Sequence, residues 1–254
     1  MAQWALVTGA TAGIGESFTR LLASKGYNVA LVARDEARLH ERAAGLREKY
    51  GVQTFVLPAD LSTNEGSRSV EDYISTYEIE VLINNAGFGI NKAFSASQMD
   101  AEQQMFDVLV RTPMRLMHTI IPGMKERKSG IIINNSSVAS FIAGGTYSAA
   151  KSYMTVLSES MNTELASSGV KVSALCPGFT RTEFHERGRM KMGGLPNFMW
   201  LNADKLVAQS WKDALANKPV SIPGWQYKLL VGVISTLPRR FVRQIGMNVR
   251  KKQR

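Results

Sequence analysis

The sequence predicts an α/β protein in which a doubly wound parallel sheet of about seven strands carries helices on both faces, within a single domain. Two observations support this fold class. Short apolar segments alternate with longer amphipathic segments along most of the 254 residues, which is typical of βα units and a parallel sheet. A glycine-rich turn joins the first apolar segment to the first amphipathic one, as in parallel sheets that bind a nucleotide at a strand-to-helix turn.

The individual elements follow in chain order, each strand from a short apolar run and each helix from an amphipathic one. The predicted strands are 4–7, 28–33, 53–57, 81–84, 130–135, 171–175 and, as the weakest, 220–222. The predicted helices are 13–25, 36–50, 64–77, 101–125, 146–168 and 203–216. We assign 1–224 to the α/β domain, with an irregular insertion at about 183–202, and 225–254 to a basic amphipathic C-terminal extension.

The net charge of +10 is concentrated at the C-terminal end of the chain. No acidic residue follows Asp213, whereas nine of the basic residues do. The rest of the chain is therefore nearly neutral, and the positive charge belongs to the extension rather than to the fold. Together with the absence of a nucleic-acid-binding motif, this distribution predicts no nucleic-acid partner.

The cellular location and the metal content are constrained by a few residue types. Cys176 is the only cysteine, which excludes an internal disulfide and suits a reducing compartment. The first residues lead directly into a strand without the features of a signal peptide, and no apolar run approaches the roughly 18 residues of a membrane span. We expect a cytoplasmic protein or one on a cytoplasm-facing surface, and the dispersed histidines predict no metal site.

The turn after the first strand is the first candidate binding site. Glycines allow the backbone to approach a pyrophosphate, and the following helix contributes free N–H groups and the positive end of its dipole. A tight β-to-α connection would explain the glycines alone, but the position between the first strand and a helix favours a nucleotide site. The residues concerned are Thr8, Gly9, Thr11, Gly13, Ile14 and Gly15.

The end of the second strand bears on cofactor choice. An acidic residue at this place commonly accepts a hydrogen bond from the ribose of NAD, whereas an arginine accommodates the 2′-phosphate of NADP. Arg34 follows the strand directly and Arg38 lies one helical turn later, so we expect NADP(H) in preference to NAD(H). The alternative is that both arginines are solvated residues at a helix start, and Asp35 weakens the NADP prediction.

Tyr147 and Lys151 form the candidate catalytic pair. They lie four residues apart in a predicted helix, which places both side chains on one face. A phenol has an unperturbed pKa of about 10, and a neighbouring cation favours the phenolate. We therefore expect Lys151 to lower the pKa of Tyr147 and to make it usable for proton transfer to an alkoxide.

Short motifs follow one another in a fixed order along the chain. They are Thr8-Gly9-x-x-x-Gly13-x-Gly15, Asp60, Asn84-Asn85-Ala86-Gly87, Ser136-Ser137, Tyr147-x-x-x-Lys151, and Pro177-Gly178 followed by Thr182. Through them, residues 4 to about 224 resemble the short-chain dehydrogenase/reductase family, in its NADP-dependent type. The resemblance implies a Rossmann-type fold and an NADP(H)-dependent oxidoreductase that acts on a carbonyl or a secondary alcohol.

The resemblance also implies roles for individual residues. Ser137 would hold the substrate oxygen, Tyr147 would give it a proton, and Lys151 would assist Tyr147 and bind the ribose hydroxyls. Asp60 would accept a hydrogen bond from the adenine amino group, or alternatively serve as a cap. The implied cofactor site comprises Thr8, Gly9, Thr11, Gly13, Ile14, Gly15, Arg34, Arg38, Asp60, Leu61, Asn85, Ala86, Gly87, Tyr147, Lys151, Pro177, Gly178, Thr180 and Thr182.

Two departures from the family pattern bear on activity. The family usually has an asparagine about 25 residues after the first Asn of the Asn-Asn-Ala-Gly motif, and this chain has Leu109 there. Leucine cannot hold the water of a proton relay by hydrogen bonding, so activity could be reduced. The loop between Ser137 and Tyr147 is also shorter than usual, which leaves Ser136, Ser140 and Asn134 as alternatives to Ser137.

The resemblance implies a substrate lid at about 183–202 and a homodimer, or a tetramer, formed through the fourth helix and the Tyr147 helix. The apolar residues of the lid favour a 3-oxoacyl, steroid-like or aromatic carbonyl substrate. The extension 225–254 suits contact with an anionic membrane surface; alternatively it packs as a helix on the body or on a second subunit. A catalytically impaired NADP(H)-binding homologue, acting as a sensor or partner subunit, is the alternative to an enzyme.

Overall fold

The computed structural model describes residues 2–183 and 196–253, with side chains given up to residue 246. Within these ranges, seven strands form one sheet: β1 (Trp4–Thr8), β2 (Asn28–Ala33), β3 (Thr54–Pro58), β4 (Ile79–Asn84), β5 (Gly130–Asn135), β6 (Val170–Leu175) and β7 (Val220–Ser221). Their order is β3-β2-β1-β4-β5-β6-β7, and every pair is parallel. The chain winds in one direction from β1 to β3 and in the other from β4 to β7, which opens a crevice between β1 and β4.

Helices cover both faces of the sheet. They are α1 (Gly13–Ser24), α2 (Glu36–Tyr50), α3 (Asn64–Thr76), α4 (Met99–Phe106), α5 (Thr112–Arg127), α6 (Thr146–Glu164), α7 (Ala203–Leu215), α8 (Trp225–Thr236) and α9 (Arg239–Gln253). One core cluster joins the sheet to α1, α2 and α7, and the other joins it to α3, α5 and α6. The predicted doubly wound fold is confirmed, and the predicted strands agree with the observed ones to within two residues.

The predicted helix over 101–125 is wrong as a single element. A π-helical turn at Asp107–Arg111 separates α4 from α5. Pro113 lies in the first turn of α5 and has no N–H, so it cannot donate the regular α-helical bond to the carbonyl of residue 109. Arg111 Nε donates to Asp107 Oδ1 at 2.7 Å across the same turn, which ties its two ends together.

The C-terminal residues fold back over the carboxyl ends of the strands. Tyr227 of α8 is buried, and its hydroxyl accepts from the Phe179 amide at 3.0 Å and donates to the Met199 carbonyl at 2.7 Å. In α9, a Cβ on Gly246 would lie 2.5 Å from the Ala143 carbonyl oxygen, so this helix sits directly on the loop before α6. No helix in the described ranges is both long enough and apolar enough to cross a membrane.

Candidate active site

A cleft of about 1720 Å³ opens at the carboxyl ends of the strands. Its walls come from the turn after β1, from the segments that follow β4, β5 and β6, and from the inner sides of α8 and α9. Ligand pockets for small molecules usually measure a few hundred to a thousand Å³. The cleft is therefore large enough for a dinucleotide together with a second compound.

Tyr147 and Lys151 both line this cleft from the first two turns of α6. The helix starts after Gly145, whose φ of 89° is accessible to glycine but strained for other residues. The Lys151 ammonium lies 5.7 Å from the centre of the Tyr147 ring and donates to the Asn135 carbonyl at 2.5 Å. The predicted sharing of one helix face is thus present in the structure.

The protonation of this pair differs from the sequence-based expectation. Burial raises the pKa of Tyr147 to about 12, and the hydrogen bond with Ser137 opposes this only in part. Burial also lowers the pKa of Lys151 to about 8, so its ammonium loses a proton more readily than that of an exposed lysine. In the protein alone the pKa of Tyr147 is thus raised rather than lowered, because desolvation of the phenolate is the largest influence on it. The lowering by Lys151 stays a prediction. At neutral pH, Tyr147 is a protonated phenol.

Ser137, rather than its alternatives, faces Tyr147. Its side chain hydrogen-bonds the Tyr147 hydroxyl and accepts from the Ala139 amide at 3.1 Å. Ser136 is buried behind it and donates to the Lys151 carbonyl at 2.8 Å. Ser140 lies near Cys176, while Asn134 is buried and bonded to Asn84 between β4 and β5. The short loop therefore leaves Ser137 within reach of the phenol.

The turn after β1 has the geometry of an anion-binding cradle. Gly9 and Gly13 have φ values of +66° and +56°, and a Cβ on Gly13 would lie 2.9 Å from Thr182. Ala12, at the N-cap of α1, makes no side-chain hydrogen bond to the first turn, so the amides there remain available to an anion. The residues fit a cofactor pyrophosphate, and Gly9, Thr11, Gly13 and Ile14 line the cleft.

Two residues of the predicted cradle act behind it. The Thr8 hydroxyl accepts from the amides of Asn85 and Ala86 at 2.9 and 3.0 Å, which fastens β1 to the end of β4. A Cβ on Gly15 would lie 2.1 Å from the Gly9 carbonyl oxygen, so this glycine lets α1 pack against the turn. Neither residue lines the cleft. Both support the turn from behind, and their contact with a cofactor stays a prediction.

The two arginines predicted to select NADP have different surroundings. Arg34 lines the cleft. Arg38 is instead paired through its guanidinium with Glu183, at 2.9 and 3.3 Å, and it does not line the cleft. The prediction of Arg38 as a cofactor contact is therefore not supported, because an acidic residue 145 positions further along the chain holds it.

Asp60 lines the cleft beside Arg34. Although burial acts to raise the pKa of Asp60, hydrogen bonds from the backbone and hydroxyl of Ser62 and the charge of Arg34 lower it below its usual range. The Asp60 carboxylate accepts from the Ser62 amide at 3.0 Å and from its hydroxyl at 2.7 Å. Asp60 therefore stabilises the turn that precedes α3, whose N-cap is Thr63, and its position also allows contact with a ligand.

The remaining predicted cofactor residues all border the cleft. They are Leu61, Asn85, Ala86, Gly87, Pro177, Gly178, Thr180 and Thr182. Gly178 has a structural reason for being glycine, since a Cβ there would lie 2.0 Å from the Tyr227 ring. Of the predicted lid, residues 183 and 196–202 are described, and 184–195 lie outside the described residues.

Leu109 occupies the π-helical turn and is 2% exposed. It belongs to an apolar cluster with Met105, Val110 and Ala150, against which Tyr147 packs. A Cβ on Gly87 would lie 2.8 Å from Leu109 Cδ2 and 4.0 Å from Lys151 Nζ. The position of the expected relay asparagine is therefore filled by a buried apolar side chain, and both this side chain and Lys151 Nζ lie near Gly87.

Sequence reasoning missed the apolar walls supplied by residues outside the motifs. The cleft is also lined by Phe88, Ile90, Ile142, Tyr227, Leu230, Val231 and Ile234. For the four that follow Gly224, the signal in the sequence is the apolar spacing of three and four, which also fits the alternative of a helix that packs on the body. Among the described residues, no group of three or more metal-binding side chains occurs.

Comparison with known proteins adds three findings. A family model described as short chain dehydrogenase matches residues 3–192 of the chain. The chain is 36% identical over 181 residues to the very-long-chain 3-oxoacyl-CoA reductase of Laccaria bicolor, a match covering 68% of this chain and 53% of that protein. It is 31% identical over 186 residues to the inactive hydroxysteroid dehydrogenase-like protein 1 of Homo sapiens, covering 71% and 56% respectively. The chain thus spans little more than half the length of these curated relatives.

Among solved structures, the chain is similar to a short-chain dehydrogenase from Sphingobium yanoikuyae in complex with NADPH. The TM-score is 0.84 at 30% sequence identity, and the match covers 93% of this chain and 96% of that one. The similarity to this structure therefore extends over nearly the whole length of both chains.

Proposed function

The chain belongs to the short-chain dehydrogenase/reductase family, and on that premise we propose that it is an NADP(H)-dependent oxidoreductase acting on a carbonyl or secondary alcohol of an apolar substrate. The observation that carries this proposal is the convergence of Ser137, Tyr147 and Lys151 on one cleft. The glycine cradle of the turn after β1 lines the same cleft. The proton donor Tyr147 and the glycine turn, which fits a pyrophosphate, therefore border the same cleft.

In the proposed reduction, three residues of the chain have separate roles. The Ser137 hydroxyl holds the carbonyl oxygen of the substrate beside Tyr147. A nicotinamide cofactor held by the turn after β1 would supply the hydride for the carbonyl carbon. Tyr147 would give its hydroxyl proton to the carbonyl oxygen as its O–H bond breaks, which yields the alcohol. Lys151 stabilises the phenolate that this transfer leaves, and the phenolate then regains a proton from solvent. A protonated Tyr147 is the form that the carbonyl-reducing direction requires.

The preference for NADPH rests on Arg34. Its guanidinium borders the cleft next to Asp60, where a planar cation can pair with a 2′-phosphate. The structural relative from Sphingobium yanoikuyae, which was solved with NADPH, supports the same choice. Asp35 does not oppose it strongly, since its carboxylate accepts from the Arg38 amide at 3.0 Å as the N-cap of α2.

The apolar substrate is proposed from the walls around the catalytic end. Ile142 follows the Ser137 segment, while Val231 and Ile234 come from α8. Apolar walls with a few convergent polar groups favour a hydrophobic ligand, such as a 3-oxoacyl, steroid-like or aromatic ketone. The relative from Laccaria bicolor, named a very-long-chain 3-oxoacyl-CoA reductase, supports the first of these. The lone buried Cys176 supports a reducing compartment, for which we propose the cytoplasm or a membrane surface facing it.

The test is the oxidation of NADPH, followed by absorbance, with a panel of ketones that runs from 3-oxoacyl thioesters to aromatic ketones. We expect turnover by the native chain and a loss of about 10² or more in kcat for Tyr147→Phe. NADPH binding, measured by fluorescence, should be retained in that variant. Turnover that survives unchanged in Tyr147→Phe would refute the proposed role of the phenol.

Leu109 favours a second candidate, an NADP(H)-binding homologue with impaired catalysis. The Leu109 side chain cannot hold a relay water, and one relative of the chain is named inactive. This candidate predicts NADPH binding without turnover by the native chain, and measurable turnover by Leu109→Asn. Leu109→Met, which keeps the volume without a hydrogen-bonding group, is the matched control and should remain inactive.

A further inference from the structure

Helix α8 has two apolar faces, one directed toward the cleft and the other exposed to solvent. Tyr227, Val231 and Ile234 are buried and line the cleft. On the opposite side, Trp225, Leu229 and Val233 are 72%, 63% and 50% exposed. Residues four apart stack on one side of a helix, so these three form a continuous exposed apolar stripe. A packed helix of a water-surrounded protein needs only one such face.

The exposed stripe connects with the mouth of the cleft. Leu230 lines the cleft and is nevertheless 40% exposed. Further along, Phe241 of α9 is an exposed aromatic residue, and Ile245 of the same helix lines the cleft. The outer surface of α8 and α9 is therefore apolar where it borders the opening.

Exposed basic residues lie on the same two helices as this apolar surface. Lys228 of α8 and Arg239, Arg240 and Arg243 of α9 are exposed. The sequence from residue 214 onward contains no aspartate or glutamate, so no acidic residue of α8 or α9 offsets them. An apolar stripe flanked by cations is complementary to a lipid surface that carries negative headgroups.

We propose that the stripe formed by Trp225, Leu229 and Val233, with the basic residues beside it, docks onto the surface of a membrane that contains anionic lipid. Docking in this orientation brings α8, whose other face lines the cleft, to the surface of the bilayer, in which an apolar substrate dissolves. Entry of the substrate into the cleft from the bilayer rests on the proposed reduction of an apolar carbonyl. The docking of the stripe on the membrane does not. A failure to bind membranes and a failure to turn over ketones are thus separate results.

The test is flotation of the full chain with vesicles of phosphatidylcholine, with or without added phosphatidylserine. We expect binding to the mixed vesicles, weaker binding to phosphatidylcholine alone, and a decrease at high salt because the headgroup attraction is screened. Leu229→Glu should lower the partition coefficient by about tenfold or more, since it removes an apolar contact and adds a negative charge. Retained NADPH binding in the variant verifies that it is folded.

Leu215→Glu provides the matched control. Leu215 is also an exposed leucine on a helix, but its carbonyl accepts from Lys171 at the start of β6, the end of the strand away from the cleft. We expect this variant to bind vesicles as the native chain does. Equal binding by the native chain and Leu229→Glu would overturn the proposal. So would a native oligomer that Leu229→Glu dissociates without any vesicle binding, because the stripe would then be an interface between copies of the chain.

Discussion

At the scale of single residues, burial determines the protonation states of the candidate catalytic pair. Tyr147 and Lys151 are both removed from water, which shifts both pKa values toward the neutral forms. Tyr147 is therefore a protonated phenol that can act as an acid. The Lys151 ammonium is stabilised by the one hydrogen bond described for it, which it donates to the Asn135 carbonyl. The two arginines after the second strand also differ in their surroundings. Arg34 lines the cleft, whereas Arg38 is paired with Glu183.

The pH dependence of reduction should follow Lys151. Its pKa is lowered by burial to about 8, so the ammonium is present below that pH and is lost as the pH rises through it. Tyr147, with a pKa of about 12, stays protonated over the same range. We expect kcat/KM for NADPH-dependent reduction to be level below about pH 8 and to fall above it, in a profile recorded from about pH 6 to about pH 10.

Lys151→Arg is the control for this profile. A guanidinium remains charged to above about pH 12, so the alkaline fall should move out of the measured range even if the absolute rate is lower. A fall at an unchanged pH in Lys151→Arg would assign the titration to another group.

Cofactor selection should depend on Arg34 more than on Arg38. Arg34 lines the cleft, whereas Arg38 is held by Glu183. Loss of one charge-assisted contact to a phosphate is worth roughly tenfold or more in affinity. We therefore expect Arg34→Ala to raise the Kd of NADPH by about that factor and to leave the Kd of NADH nearly unchanged. Fluorescence titration of both cofactors measures this, and a larger effect of Arg38→Ala on NADPH would contradict the assignment.

At the scale of elements, Tyr227 joins α8 to the site. The Tyr227 ring lies over Gly178, and its hydroxyl bridges the Phe179 amide and the Met199 carbonyl. The helix is thereby joined both to the segment after β6 and to the last described part of the lid region. Displacing α8 would remove one wall of the cleft.

Gly178→Ala should displace that helix. The added methyl would lie 2.0 Å from the Tyr227 ring, a contact that real side chains do not make, and overpacking of this kind costs about 1–3 kcal/mol. We expect the free energy of unfolding, measured by chemical denaturation, to fall by about that amount, and NADPH binding to weaken.

Gly232→Ala is the matched control within α8 itself. A Cβ on Gly232 would meet no atom within 4 Å, and alanine favours a helix over glycine by about 0.5–1 kcal/mol. This variant should be as stable as the native chain or more so. If both variants were equally destabilised, the contact of Tyr227 with Gly178 would not be the cause.

At the scale of the whole molecule, exposed apolar side chains on α5 and α6 form a surface apart from the cleft. Tyr153 and Val156 of α6 are exposed, as is Met114 of α5, and the Tyr153 hydroxyl donates to Met114 Sδ at 3.2 Å. The family resemblance implies a two-fold contact through these helices. We propose that this surface joins two copies of the chain, because contiguous exposed apolar side chains commonly mark an interface.

The dimer is tested by light scattering coupled to size-exclusion chromatography. The native chain should elute with twice the monomer mass of 28.0 kDa. Val156→Glu should give the monomer, because a C₂ interface places each substitution in the contact twice. Leu215→Glu, which changes an exposed leucine on α7, should leave the mass unchanged. A native monomer would exclude this interface at the concentration used.

The sequence by itself determined the parts of this protein that depend on short-range pattern. The strands, the glycine turn and the pairing of Tyr147 with Lys151 follow from periodicity and spacing within a few residues, and the structure has all of them. The order of the motifs then indicated the family before any geometry was known.

The tertiary structure decided what depends on residues far apart in the chain. Arg38 meets Glu183, Leu109 lies against Gly87, and burial sets the protonation of Tyr147. It also separated the inner face of α8, which lines the cleft, from the outer face, which is exposed. The physical reason is that burial and charge pairing are properties of the packed neighbourhood, and most of that neighbourhood comes from other elements of the fold.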